Sequence, residues 1–212
     1  MVSLPEPRLS SATSVEEALR KRRSVREYTS GGLTIAELGQ LLWAAYGVTR
    51  PDGKRTAPSA RELYPLRVYA LVGSVEGLEP GLYRYEPAAH SLELRTAGDL
   101  RSRLYEATFS QGAVLGAAAI LVFSGLYALA EGEFGAGGRQ YVHMDLGHAG
   151  ENVHLQAVAL GLGTVVIGAF RPASVQELLQ LPEGETPLYL MPVGRMDPVL
   201  SSAHYGDSGN DR

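Results

Sequence analysis

Residues Asp145–Phe170 read DLGHAGENVHLQAVALGLGTVVIGAF, a helix running straight into a strand. Leu146, Ala149, Val153, Ala157 and Leu160 recur at helical spacing on one face, and Leu155, Val158, Ala159 and Leu162 extend the apolar surface beyond it. A helix that is apolar almost all round is expected to be buried. One narrow polar stripe survives, at Asp145, His148, Asn152 and Gln156, spaced three, four and four. Gly161-Leu162-Gly163 stops the helix, because glycine accepts the left-handed conformation that a helix end needs. Thr164–Ala169, apolar and β-branched, reads as a strand inside a sheet. The rest of the chain is expected to pack around this pair.

Beyond the pair, Pro172 and the box Ser174-Val-Gln-Glu177 start a short helix, and Leu188–Val193 is the last strand. Before it, Leu126–Gly138 is rich in glycine and lacks periodicity, which reads as a mobile or substrate-facing loop. Ala118–Phe123 is a buried strand, Asp99–Thr108 a helix, and Gly81–Tyr85 with Leu92–Leu94 a hairpin around Glu86–His90. Leu66–Val72 is a further strand, preceded by a polar loop over Val48–Ala60. Thr34-Ile-Ala-Glu37 is a capping box that opens an amphipathic helix ending at Gly47, with Leu38, Leu41, Leu42, Ala45 as its apolar stripe and Trp43 read as core. Ser14-Val-Glu-Glu17 repeats the box ahead of a helix that ends near Arg22. Helices and strands alternate without βαβ regularity, so an α+β layer fold follows. The organisation is an N-terminal extension over 1–13, one domain over 14–198, and a polar tail over 199–212 that is disordered or draped over a partner subunit.

With 212 residues the chain can bury roughly 70% of its unfolded surface, a core of ordinary size. Alanine-rich runs at Gly112–Ala119 and Ala157–Gly161 suit a close helix-rich subunit interface. The absence of cysteine excludes disulfides and thiolate metal sites. A net charge of −4 argues against nucleic acid as a general partner. No run of apolar residues is long enough to span a membrane, and the N-terminus lacks the pattern of a signal peptide, so a cytoplasmic protein is expected. His143, Asp145 and His148 do not make a metal motif: His148 and His154 are six residues apart and leave a helix on different sides, so no metal is expected.

The densest charge cluster is Lys21-Arg22-Arg23-Ser24-Val25-Arg26, where the first helix ends. Cations suit the negative end of a helix dipole, which is one reading. In the other, Arg22, Ser24 and Arg26 alternate along an extended segment and share one side. Two guanidinium forks and a hydroxyl then make a cradle for a phosphate.

R-R-S-V-R at Arg22–Arg26, P-S-A-x-x-x-Y-P at Pro58–Pro65, G-L-G-T-V-V-I-G-A-F at Gly161–Phe170 and P-V-G-R at Pro192–Arg195 occur in that order. Together they resemble the FMN-dependent nitroreductase superfamily over residues 14–198. L-Y-P-L-R-V-Y at Leu63–Tyr69, G-L-Y-R-Y-E-P at Gly81–Pro87 and D-L-G-H-A-G-E-N-V-H-L-Q-A at Asp145–Ala157 are similar to its SagB-type azoline-dehydrogenase branch. The resemblance implies a central, mostly antiparallel sheet flanked by helices in an intertwined homodimer with FMN at the subunit interface. It implies that Arg22, Arg23, Ser24 and Arg26 hold the FMN phosphate and ribityl chain, and that Arg195 reaches the same phosphate. Pro58, Ser59 and Ala60 would meet the flavin of the other subunit, and Ile167, Gly168 and Ala169 would lie beside the ring. Glu62 stands where nitroreductases often carry an amide, and no lysine occurs between 126 and 138, where the azoline branch commonly has a Lys-Tyr pair.

Three functions fit. The first is hydride transfer through the flavin from a reduced nicotinamide to a nitro compound or quinone. The second is oxidation of peptide azolines with oxygen as acceptor. The third is flavin binding without catalysis. No acid–base triad is recognisable, which suits chemistry done by a cofactor.

Overall fold

The computed structural model describes residues 1–197. Its strands are β1 (Val2–Ser3), β2 (Leu66–Val72), β3 (Gly81–Glu86), β4 (Ser91–Ala97), β5 (Ala119–Gly125), β6 (Leu162–Thr164) and β7 (Thr186–Arg195). They form one antiparallel sheet in the order β1-β4-β3-β2-β5-β7-β6. β2 and β5 lie centrally and are covered on both faces, which is why 68–72 and 119–123 are apolar without a break.

Successive side chains point to opposite faces of the sheet. Val68, Ala70, Leu121 and Phe123 therefore share one core with α2 (Ile35–Tyr46) and α6 (Gly138–Ala159). Tyr69, Leu71, Ile120 and Val122 share the other with α3 (Arg101–Ala107), α4 (Gly112–Gly116) and α7 (Pro172–Leu179). The result is three layers, helices on sheet on helices, the α+β architecture expected.

α2 starts as its sequence dictates. Thr34 Oγ1 accepts from the Glu37 amide at 3.2 Å, and Glu37 Oε2 accepts from the Thr34 amide at 2.8 Å. At α1 (Val15–Lys21) only half of the box forms: Ser14 Oγ accepts from the Glu17 amide, but the Glu17 carboxylate pairs with Lys21 instead.

Several expectations need correcting. Leu126–Gly138 is not a loop: it folds as α5 (Tyr127–Phe134) and a 3-10 turn at Gly135–Gly137, and α6 starts at Gly138. Gly138 makes this possible, since a Cβ there would come within 2.4 Å of the Ala130 backbone. The helix α6 is also not buried all round. Leu146, Ala149, Val153 and Ala157 lie in the core, whereas Met144, Gly147, His148 and Glu151 are exposed.

The strand after it is shifted and peripheral. Only Leu162–Thr164 joins the sheet, at its edge, and Ile167 returns as a single bridge to Leu190. Val165 and Ile167 are apolar because they pack into the second core, not because they belong to a ladder. Finally, α7 begins at Pro172, a residue preorganised for the first helical turn, so Ser174 lies inside the helix and caps nothing. The 199–212 tail lies outside the described residues.

Candidate functional site

The segment after α1 runs extended beside the sheet edge. The Val25 amide donates to Thr164 O at 2.9 Å, and the Thr29 amide donates to Arg195 O at 2.9 Å. Tyr28 OH ties the segment further, donating to Val25 O at 2.8 Å and lying 3.0 Å from Pro192 O. Gly163 and Gly194 permit this approach, because a Cβ at either would overlap Val25 or Tyr28. Thus R-R-S-V-R and P-V-G-R, at opposite ends of the domain in sequence, become backbone neighbours through β6 and β7.

With Val25 packed against Gly163, alternation turns Ser24 and Arg26 outward. Arg23 donates only to the carbonyls of Arg20 and Arg22, and Arg26 reaches only Ser24 O. Among the described residues neither has a carboxylate partner, so the segment carries two exposed cations that are not neutralised. Arg22 lies 3.7 Å from Glu151 on α6.

Arg195 is brought to the same region through its backbone, but its guanidinium is engaged elsewhere. Its two terminal nitrogens donate to Glu37 at 2.6 and 2.7 Å, and Nε donates to Gly32 O at 3.2 Å. Burial alone would raise the Glu37 carboxyl, but the bonds from Arg195 and Thr34 outweigh it and hold Glu37 below the usual carboxylate range. Glu37 thus serves both the capping box and Arg195, a second role that the box motif does not announce.

Ile167 exchanges both backbone hydrogen bonds with Leu190, which leaves Gly168 and Ala169 exposed on the following turn. Ala169 O accepts from Gln111 Nε2 at 2.9 Å. Among the described residues, no hydrogen bond or ion pair links Pro58, Ser59 or Ala60 to these groups. That loop lies instead along α6, and the turn after it is strained: Arg61, Glu62 and Tyr64 all have left-handed φ, at 51°, 57° and 50°. Two ion pairs hold the turn, Arg61–Glu133 to α5 and Lys54–Glu62, each at 2.8 Å. The Arg55 guanidinium stacks over the Tyr46 and Tyr64 rings.

The three residues weighed as a metal cluster diverge. His143 Nε2 is 2.6 Å from Tyr127 OH, Asp145 is buried beside Ser59, and His148 is exposed. Burial raises the Asp145 carboxyl, offset in part by Ser59 and His148. Burial and the nearby Arg22 push His154 down to about 4. Trp43 is half-buried rather than core: it lines a cleft of about 600 Å³ with Arg8, Thr13, Gln40, Asn152 and Leu155.

The three-layer fold is that of the nitroreductases. The sequence profile of the Nitroreductase family matches residues 19–195, and the chain belongs to that family. A candidate nitroreductase of Methanocaldococcus jannaschii is 44% identical over 181 residues, covering 85% of this chain and 90% of that protein. The crystal structure of a candidate nitroreductase from Ralstonia eutropha JMP134 superposes with a TM-score of 0.80 at 33% identity, covering 92% of this chain and 89% of the other. A chain of the microcin synthetase McbBCD complex of E. coli shares the fold, with a TM-score of 0.73 at 23% identity over 93% of this chain and 79% of its own.

Proposed function

We propose that this oxidoreductase binds FMN between two copies of the chain and passes a hydride from a reduced nicotinamide to a small conjugated acceptor, a nitro compound or a quinone. The observation that carries the reading is the presence of two exposed arginines, Arg23 and Arg26, without carboxylate partners among the described residues, on a segment fixed to the sheet edge. Such a patch fits a phosphate dianion, which guanidinium groups bind through charge-assisted hydrogen bonds. Arg22 and Ser24 complete the cradle, and Arg195 joins it if its fork leaves Glu37. Gly168 and Ala169 present backbone without a bulky side chain, which suits close approach by a flat ring.

When bound, the flavin supplies the hydride-accepting and hydride-donating centre. The protein holds the phosphate, orients the ring and shields one face. Pro58, Ser59 and Ala60 lack hydrogen bonds to the cradle within one chain, which is consistent with their serving the site of a second copy. The half-buried apolar residues Leu155 and Val158 on α6, with Leu160 just after it, form the surface for that copy to cover.

The test is an absorbance spectrum of protein loaded with FMN, before and after anaerobic addition of NADH or NADPH. Bleaching of the flavin band is the expected result. Protein that stays colourless after incubation with FMN refutes the reading, and a bound flavin that no nicotinamide reduces refutes the donor.

A further inference from the structure

Two residues of the polar stripe on α6, Asp145 and Asn152, face the loop that carries Pro58. Asn152 Nδ2 donates to Thr56 O at 3.3 Å, and the Ser59 hydroxyl lies close enough to the Asp145 carboxyl to lower its proton affinity. Seven helical residues from Asp145 to Asn152 rise about 10.5 Å. The chain bends at Thr56 and Ala57 and is extended at Ser59, with φ −139° and ψ 140°.

The loop therefore runs antiparallel along the helix, bonded to it at Thr56 and neighbouring it at Ser59. Between these points, Ala57 is fully buried and Pro58 is exposed. Beyond Ser59 the chain closes at once: Ser59 O accepts from the Glu62 amide at 3.0 Å and Ser59 Oγ from the Tyr64 amide at 2.9 Å. One serine thus ties the helix to a turn that contains three left-handed non-glycine residues.

We propose that Asp145 and Asn152 are positioning residues, a clamp that fixes Pro58-Ser59-Ala60 as a rigid ledge against the flavin ring of the neighbouring copy. The ledge's target rests on the FMN reading above; the clamp does not. Its unusual component is Asp145. The residue is only 3% exposed, and its Oδ2 has no hydrogen-bond partner among the described residues. Stability alone gives no reason to keep a half-satisfied carboxylate there, since an apolar side chain of similar size removes the unmet oxygen. A need to hold Ser59 does.

The experiment compares wild type with Asp145→Leu, Asp145→Asn and Asn152→Leu, and with Leu92→Val, a core trim in β4 near the far edge of the sheet. Two quantities are read: amide hydrogen exchange at Glu62, Leu63 and Tyr64 in the flavin-free protein, and the dissociation constant for FMN. Asp145→Leu is expected to keep or raise the thermal midpoint while exchange at those amides rises at least 10-fold and FMN binds about 10-fold more weakly. Asp145→Asn, which retains an acceptor for Ser59, stays within 3-fold of wild type in both. Asn152→Leu loosens the same amides, and Leu92→Val lowers the midpoint without moving either quantity. Unchanged exchange in both leucine variants overturns the clamp. Loosened exchange with unaltered FMN affinity overturns the ledge. Wild-type protein that binds no FMN sinks the flavin reading alone, and the exchange data still decide the clamp.

Discussion

His154 offers the sharpest test of how the basic segment and α6 share charge. The ring is 6% exposed, its Nδ1 has no hydrogen-bond partner among the described residues, and Arg22 lies near enough to oppose a positive charge. Burial first and Arg22 second lower its proton affinity from 6.5 to about 4. At 1.36 kcal/mol per tenfold change in proton affinity, full protonation of the folded ring costs about 3 kcal/mol relative to the unfolded chain. The sign depends on which state takes the proton first. The unfolded histidine is protonated below about 6.5 while the folded one stays neutral to about 4, so stability present at neutral pH is lost as pH falls through that window. Between pH 7 and 4.5 the loss from this group is about 2 kcal/mol. His154→Leu abolishes it. Urea unfolding followed by the fluorescence of Trp43, the single tryptophan, reads the difference at both pH values. Carboxylates also titrate in this range, so the informative quantity is the gap between variant and wild type. The leucine variant is expected to lose about 2 kcal/mol less than wild type on acidification. Parallel pH profiles would refute both the burial argument and the Arg22 contribution.

Three other outcomes rest on single contacts. Glu185 is buried and accepts from Tyr69 OH at 2.8 Å and Ser124 Oγ at 2.6 Å, so Glu185→Ala strands two buried hydroxyls and is expected to cost about 3 kcal/mol in urea or thermal unfolding, with Glu185→Gln costing less. Arg23→Ala and Arg26→Ala are each expected to weaken FMN about 10-fold by fluorescence titration and to leave riboflavin, which lacks the phosphate, unaffected; equal losses for both ligands would contradict the cradle. Glu37 is held below its ordinary range, so its pairing stabilises the fold above the usual carboxylate range and the benefit is lost as pH falls through the lowered value; Glu37→Gln is expected to cost about 1 kcal/mol at pH 7 and nothing once the carboxylate is protonated, as thermal melts across the acid range would show.

What the sequence disclosed, and what it hid, divides along physical lines. β2 and β5 were legible because burial on both faces demands an unbroken apolar run, and α2 because its capping box and apolar stripe are local signals. α5 was not. Of its eight residues only Ala130 is buried, and the helix is held by close backbone contact with Gly138, which leaves no periodicity to read. The error over Thr164–Ala169 has a different origin. Apolarity reports burial, and Val165 and Ile167 are buried against α7 without joining a ladder. The polar stripe on α6 was visible as a pattern, but its partners were not: Asn152 meets a residue 96 positions away and Gln156 one 116 positions away. No local signal carries contacts of that range.

Arg195 shows why a motif can locate a residue yet miss its immediate partner. P-V-G-R placed the side chain beside the N-terminal basic segment, and the pairing of β6 with β7 does bring the two together. The fork nevertheless closes on Glu37, because the capping box commits that carboxylate to the start of α2, within reach of the Arg195 fork. An anion arriving at Arg23 and Arg26 would therefore meet two cations that have no carboxylate partner among the described residues and, in Arg195, one that is already neutralised. Arg195 can join it only by giving up two short charge-assisted bonds, so the phosphate must return at least as much. This makes a consequence measurable. Glu37→Gln weakens the competitor and keeps the helix cap, and so, if Arg195 belongs to the cradle, it should tighten FMN while lowering stability. A variant in which affinity and stability fall together would show that Arg195 serves α2 and not the anion.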